Sequence, residues 1–548
     1  MSATACGLPR LSRLGRAACA LLLFLAAAMA SGCEIFPRGT YWAAHEGHLA
    51  PPREAQPAAG GERPAAAAPG TDPAALRARI DKAIAQRWSD DALAASAREM
   101  DAAAGRWVYA DAMRVIVSCY VDPITYRDVV VAGLRSLRAA LDHPDFRRRF
   151  PEAQDARNRA RFAEALEILR LKAGAADPWF ASQAGEWLAV AMEKNRTMLG
   201  LPDGAIVAEF LFGAIDTLDP YTYFLTSEMR RGYEDELEGA YTGIGAEILS
   251  RQGRFFLGQV FEGAAAKAGL ARGDELVAID GRTLTGLALV DVRRLLRGKA
   301  GDKVTLAVRK GGEGPGREVV LVRSMVHLPF VRDARILEAA EGIGYLRLTG
   351  FKSGTDKELR LAIRGLAGQG AKALILDLRD NPGGSLFDAV GVVGALVEKG
   401  RVLRTRGRML GATWSYDVPL LARPEWRGPL AVLTSPNTAS ASEVVAAALA
   451  RHHRATVIGQ RTYGKGAVQI LLPVGRKSAV CVTIARVYDP DGVCLEGEGV
   501  APDRRVDPPA RPAVAPAEDP VVRAAVEAMR AALARPSSGA RRADISRF

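Results

Sequence analysis

Cysteine is scarce in this chain: six in 548 residues, three of them, Cys6, Cys19 and Cys33, within the first 33. A small disulfide scaffold is thereby excluded. Only Cys119, Cys481 and Cys494 remain beyond that point, an odd number, so at least one thiol stays unpaired. A hairpin turned at Asp489-Pro490-Asp491-Gly492 would set Cys494 opposite Val487, roughly 20 Å along the strand from Cys481. That is too far to bridge, and buried thiols are expected. The longest apolar run near the start, Ala17 to Ala30, is too short for a membrane-spanning helix. Zinc-finger spacing, RNA-binding signatures and basic stripes interleaved with aromatics are all missing, so the formal charge of +12 reads as a solvated basic surface and nucleic acid is not an expected partner. No G-x-S-x-G elbow occurs. Gly243 and Gly245 lack a third glycine where Ile248 stands, which removes a dinucleotide fingerprint. His45 and His48 on a linker do not make a metal site.

What is present is a body with ordinary globular composition, 49% hydrophobic and 25% charged, long enough for several domains at about 150 residues each. Arg10, Arg13 and Arg16 precede the Ala17–Ala30 run and small residues follow, the pattern of a secretory signal. Residues 1–33 are read as that signal and 34–70, rich in Pro, Ala and Gly, as a flexible linker. Over 71–240 the period is helical: Val108, Ala112, Val115 and Cys119 form one apolar stripe, and Val130, Leu134, Leu137 and Leu141 another. These helices are core or a dimerisation arm.

After Gly239 the period falls to two. Phe255–Leu257, Glu275–Ile279, Val304–Val308 and Val319–Val322 read as strands, Asp280-Gly281 as a turn, and Leu289–Leu296 as an amphipathic helix. Across 326–508 strands alternate with helices, the signature of an α/β core: Gly344–Leu348, Ala373–Leu378 and Pro429–Leu433 as strands, 356–368 and Ala441–Ala450 as helices. The remainder, 509–548, is read as a tail with a short helix at 521–534.

Ser440-Ala441-Ser442-Glu443 falls where a strand yields to a helix, and Tyr463-Gly464-Lys465-Gly466 enters a later strand. The bland reading of the first is a capping box. Read together, the segments offer a candidate nucleophile and a candidate base. A serine hydroxyl needs a neighbouring base, and His452 and His453 lie three turns down the helix from Ser440. An ordinary lysine, with a pKa of about 10.4, is protonated at neutral pH, but burial drives it towards the free amine. Val468, Ile470, Leu471 and Leu472 offer such apolar surroundings. Gln469, four residues on in an extended strand, shares the face of Lys465.

Six ordered motifs make a resemblance specific. Leu218-Asp219-Pro220, Ala265 to Gly281, Ile343 to Leu348, Leu376 to Gly384, Ser440 to Glu443 and Tyr463 to Gly466 together resemble the carboxyl-terminal processing peptidases, tail-specific serine proteases with a PDZ domain. The resemblance implies a multi-domain α/β protein: a helical N-terminal region with an insertion at 71–240, a PDZ-like β/α module at 241–325, and a peptidase core of the ClpP/crotonase-like type at 326–508. It implies Ser440 as nucleophile, Lys465 as base and Gln469 as its orienting partner. Oxyanion donors would be Ala441 with Gly383 or Gly384, a choice the sequence leaves open. The loop Gly243-Ile244-Gly245-Ala246 would take the terminal carboxylate of a protein or peptide with a free apolar C-terminus. No cofactor and no metal are implied.

Ala30-Ser31-Gly32-Cys33 resembles a lipoprotein box, with Cys33 lipidated. The expected place is then the periplasmic side of a bacterial envelope, touching membrane only through that anchor. Homo-oligomers through the N-terminal helices are a further expectation. The rival function is a catalytically silent PDZ-containing scaffold that holds peptides. The chain departs from the family in having Arg451 where Asp is common and Gln460 where Glu is, and about 70 extra helical residues precede Leu218.

Overall fold

Eight helices, among the residues the structure describes, lead to the first strand. This computed structural model describes residues 73–507 and 518–534, apart from 90, 177–180, 227–229, 231–239, 252, 288, 328, 339 and 476–477. The expectations for the signal, Cys33 and the linker lie outside them. The helix Tyr126–Asp142 starts at a capping box between Thr125 and Asp128 and buries Val130, Leu134, Leu137 and Leu141 completely. Its partner is Asp203–Ile215. The two backbones approach closely at Gly133 and Gly213, where an added Cβ would stand 2.8 Å from Phe210 Cα and 2.3 Å from Ser136 Cβ. A buried network fixes the end of that second helix: Arg87 bonds Asp216 at 2.5 Å and pairs with fully buried Glu209 at 2.7 Å. Asp203–Ile215 is followed by the turn at 216–222 and the strand Tyr223–Leu225, which pairs with Ser478–Tyr488. The helical region therefore stops short of 240, since Tyr223–Leu225 and Ala240 lie in strands.

A β/α module follows. Its sheet runs in the order Ala246–Arg251, Arg254–Val260, Glu275–Ile279, Lys303–Arg309, Arg317–Val322. Val304, Leu306 and Val308 alternate inwards and are buried with Phe255, Leu276 and Ile279, as period-two burial on one sheet face demands. Asp280 and Gly281 both have positive φ, 47° and 77°, the tight hairpin that an Asp-Gly pair favours. An antiparallel ribbon of Ala240–Gly243 with Ser324–His327 closes the module.

The core sheet has the order Val331–Glu338, Ile343–Leu348, Ala373–Asp377, Leu430–Thr434, Thr456–Gly459, Arg504–Arg505, antiparallel at the first pair and parallel thereafter. Both faces are covered, which is why Ala373–Leu376 reads as an unbroken apolar run. Leu374, Leu376, Leu430 and Val432 face one buried layer, with Leu359, Val393 and Val445 of the helices Thr355–Gly368, Leu386–Gly394 and Ala441–Arg451. Ala373, Ile375, Ala431 and Leu433 face the other, where Val521, Val522, Ala525 and Met529 of helix Pro520–Ala534 pack. That last helix is thus one of the core's layers, a correction to its reading as part of a tail. A second sheet joins Ser478–Tyr488 to Ala467–Val474, Arg401–Arg406 and Tyr223–Leu225. Among the described residues Cys119, Cys481 and Cys494 form no disulfide, and Cys481 is buried while the other two are only partly so.

Candidate active site

The strand Leu430–Thr434 ends in a turn before helix Ala441–Arg451, and that turn is sewn to the loop after the neighbouring strand. Thr438 Oγ1 donates to the Leu378 carbonyl at 2.8 Å, the Ala439 amide to the Asn381 carbonyl at 3.0 Å, and Ser442 Oγ to the same carbonyl at 3.0 Å. Thr438 and Ser442 are fully buried in those roles, leaving Ser440 as the partly exposed hydroxyl of the segment. Ser440 has φ 57° and ψ −118°, a conformation that costs a side-chain-bearing residue about 1–3 kcal/mol and is held only where surroundings enforce it. Room for the turn comes from Gly383, where a Cβ would sit 2.8 Å from both Ser440 Cβ and the Ala441 nitrogen. A distant glycine supplies the clearance that the local glycines of a G-x-S-x-G elbow supply elsewhere.

Lys465 lies in the loop before strand Ala467–Val474 and is 7% exposed. Burial pushes its amine towards the uncharged form, against weaker opposing influences from Cys481, Glu496, Asp219 and Glu443. Its main chain is held by Glu443, whose buried carboxylate accepts from the amides of Ser440 (2.8 Å), Gly464 (2.7 Å) and Lys465 (2.8 Å) and from Thr462 Oγ1 (2.5 Å). The residue read from sequence as a helix cap is therefore also the clamp between the two chemical segments.

Ser440, Lys465 and Gln469 line one cleft with Gly384, Leu386, Val444, Ala467, Val468 and Val487. The geometric argument for Gln469 needs amendment: regular strand begins only at Ala467, and a bulge separates Val468 from Gln469. Gln469 reaches the cleft nonetheless, and its Nε2 donates to the Tyr221 carbonyl. The Tyr221 ring centre is 4.9 Å from Lys465 Nζ. Tyr221 was hidden in the sequence, beside the Leu218-Asp219-Pro220 motif but with no signal of its own. His452 sits at the far end of the serine helix, its Nε2 2.7 Å from the Arg401 carbonyl. Arg451 bonds Asp489 at 2.7 Å and Gln460 bonds Asp507 at 2.9 Å, so both departures from the family pattern have local partners.

Gly383 and Gly384 are now distinguishable. The Gly383 amide donates to Asn381 Oδ1 at 2.9 Å, whereas Gly384 lines the cleft, and among the described residues nothing accepts from its N–H or from that of Ala441. Gly384 is held by Phe351, which receives the Ser385 amide at 2.7 Å and donates to the Gly383 carbonyl at 3.0 Å.

In the β/α module, Gly243 ends the ribbon opposite Ser324. Ile244 is buried and its carbonyl accepts from Ala265, while Gly245, with φ 81°, accepts from Phe261, both at 2.8 Å. Ala246 opens the strand Ala246–Arg251, which among the described residues lies at the sheet edge and pairs only with Arg254–Val260. The helix Leu289–Leu296 packs beside that edge.

A model of peptidase family S41 matches residues 342–506 and a PDZ domain model matches 260–310, beginning past the Gly243–Ala246 loop. The chain is 33% identical over 325 residues to a carboxy-terminal-processing protease of Bartonella bacilliformis, covering 58% of this chain and 74% of the relative. It is 34% identical over 310 residues to the chloroplastic C-terminal processing peptidase of Tetradesmus obliquus, covering 54% and 66%. Among solved structures, the photosystem II D1 C-terminal processing protease is similar at 26% identity and a TM-score of 0.41, over 76% of this chain and 96% of that one.

Proposed function

The chain belongs to peptidase family S41, the carboxy-terminal-processing serine proteases, and we propose that it captures unstructured proteins by their free apolar C-termini and cleaves them through a Ser440–Lys465 pair. The observation that carries this reading is the single cleft shared by Ser440, Lys465 and Gln469, in which burial favours the free amine. Lys465 Nζ takes the Ser440 proton as Oγ bonds to the scissile carbonyl carbon and the carbonyl π pair moves to oxygen. Gly384 and Ala441 offer amides to that oxyanion, with Ala441 at the positive end of the helix dipole. Lys465 then returns the proton to the leaving amine, and water repeats the sequence on the acyl-enzyme. Gln469 orients the lysine without adding a charge that would hold it protonated.

The parallel sheet with a second sheet beside it supports a core of the ClpP/crotonase-like type. The edge strand at Ala246 supports substrate capture by strand addition, with the Gly243–Ala246 loop taking the carboxylate. Export to the periplasmic side, with lipidation at Cys33, belongs to the same proposal and rests on the sequence pattern of residues 1–33.

Wild type, Ser440→Ala and Lys465→Ala are to be compared on an unfolded protein with a free apolar C-terminus and on its C-terminal amide. Each substitution is expected to remove at least about 1,000-fold of kcat/KM, and amidation to raise KM. Cleavage surviving Ser440→Ala would reject the nucleophile. Equal cutting of the amide would reject carboxylate recognition alone.

A further inference from the structure

Tyr221 is held in place more firmly than a loop residue needs to be. The helix before it is tied down at Asp216, whose carboxylate takes Arg87 and whose carbonyl takes Arg79 at 2.8 Å. Asp219 Oδ1 accepts the amides of Tyr221 (2.9 Å) and Thr222 (2.8 Å), and the Asp219 amide donates to the Tyr120 hydroxyl at 3.1 Å. Pro220 fixes its own φ, and Thr222 Oγ1 accepts the Thr483 amide at 3.2 Å. All this holds the ring of Tyr221, a residue only 8% exposed, against Lys465 Nζ, and its carbonyl against Gln469.

We propose that Tyr221 is part of the catalytic apparatus: its ring face receives the ammonium that Lys465 becomes on taking the Ser440 proton, and its carbonyl fixes the Gln469 amide beside the lysine. The inference rests on the Ser440–Lys465 reading. Acylation creates two charges at once, an oxyanion and an ammonium, and the ammonium appears where water has been excluded. A carboxylate in contact would stabilise it but would also hold the resting lysine protonated. An aromatic face attracts a cation through its quadrupole, more weakly and without a formal charge. The titratable groups facing Lys465 are Cys481 on strand Ser478–Tyr488, Glu496 on the following loop, Asp219 on the segment of Tyr221 and Glu443 on the serine helix. Among the described residues no carboxylate forms an ion pair with Nζ, whereas the ring lies in cation–π range. The N-terminal helix Pro73–Trp88 acquires a role in this account, since its Arg79 and Arg87 anchor the turn that delivers Tyr221.

The test places Phe, difluoro-Phe and trifluoro-Phe at position 221 of the full chain, preserving shape while draining the ring's negative face. The readout is the rate of Ser440 labelling by a fluorophosphonate across pH. Tyr221→Phe keeps the ring face and sets the reference rate, from which the fluorinated series is expected to slow stepwise by about tenfold in all. Its acid-limb midpoint is expected to move to lower pH, because weaker support of the ammonium makes Lys465 easier to deprotonate. A series with constant rate and midpoint, in protein of unchanged thermal stability, overturns the inference. So does a Phe variant as slow as the trifluoro one, which would assign the effect to the hydroxyl. Labelling undiminished in Lys465→Ala would overturn the lysine reading and this inference with it, whereas lost labelling there beside a flat series overturns this inference alone.

Discussion

Glu443 accepts a hydrogen bond from the main-chain amide of Lys465 at 2.8 Å, across 22 residues of sequence. The same oxygen accepts the Ser440 amide at 2.8 Å, so one carboxylate sets the separation of the proposed nucleophile and base. Burial raises its pKa, and the bonds from Thr462, Gly464, Ser440 and Lys465 oppose that rise. Glu443→Gln replaces an all-acceptor group with one whose NH2 faces donors, leaving buried amides unpaired. The expected result is a loss of about 2–4 kcal/mol in denaturant unfolding and at least about 100-fold in kcat/KM.

Gly383→Ala tests the clearance at the nucleophile. The new Cβ would lie 2.7 Å from the Ala439 carbonyl oxygen and 2.8 Å from Ser440 Cβ, at a φ of 102°. Ser440 must move, and fluorophosphonate labelling is expected to fall by about 100-fold or more, the scale of losing an oxyanion donor. Labelling at the wild-type rate would show that the turn tolerates the methyl group.

Glu496 supplies a pH dependence. Burial pushes its carboxyl up to about 7, against the bond it accepts from the Gly466 amide. Between the ordinary glutamic acid value and that one, the native state holds a proton that the unfolded chain has lost. Stability therefore falls as pH rises through this window, by up to about 3 kcal/mol. Glu496→Gln is expected to be more stable than wild type at pH 8 and to lose that advantage at pH 4. Its activity should persist to lower pH, because a charge that favours protonated Lys465 has been removed. A stability difference independent of pH would contradict the assignment.

Arg451→Ala addresses a departure from the family pattern. Arg451 docks the far end of the serine helix on Asp489, but its side chain is 44% exposed, and a pair of that kind contributes about 1 kcal/mol or less. A small fall in unfolding free energy and kcat/KM within about twofold of wild type are expected; a large loss of activity would give this end of the helix a part in the chemistry.

The parts legible in the sequence are those written in local pattern. The run Ala373–Leu376 is apolar because both faces of its strand are covered, and Leu289–Leu296 is amphipathic because one face packs on a sheet. Ser440 and Lys465 stood out through motif and spacing. Glu443 looked like a cap because its bond to Ser440 spans three residues, while those to Thr462, Gly464 and Lys465 span 19 to 22 and leave no local trace. Tyr221 lies 248 residues from Gln469, and only the folded chain joins them. The bulge before Gln469 breaks the simple alternation from Lys465, and the choice between Gly383 and Gly384 turned on where the Asn381 side chain points.

The most direct test of the central claim, that a buried uncharged Lys465 activates Ser440, is the pH dependence of Ser440 labelling by a fluorophosphonate in wild type and Lys465→Ala. The account predicts that wild-type labelling rises to a plateau through a midpoint below the ordinary lysine value, and that the variant is at least about 100-fold slower with no such step. Equal rates with the same midpoint in both proteins would contradict it.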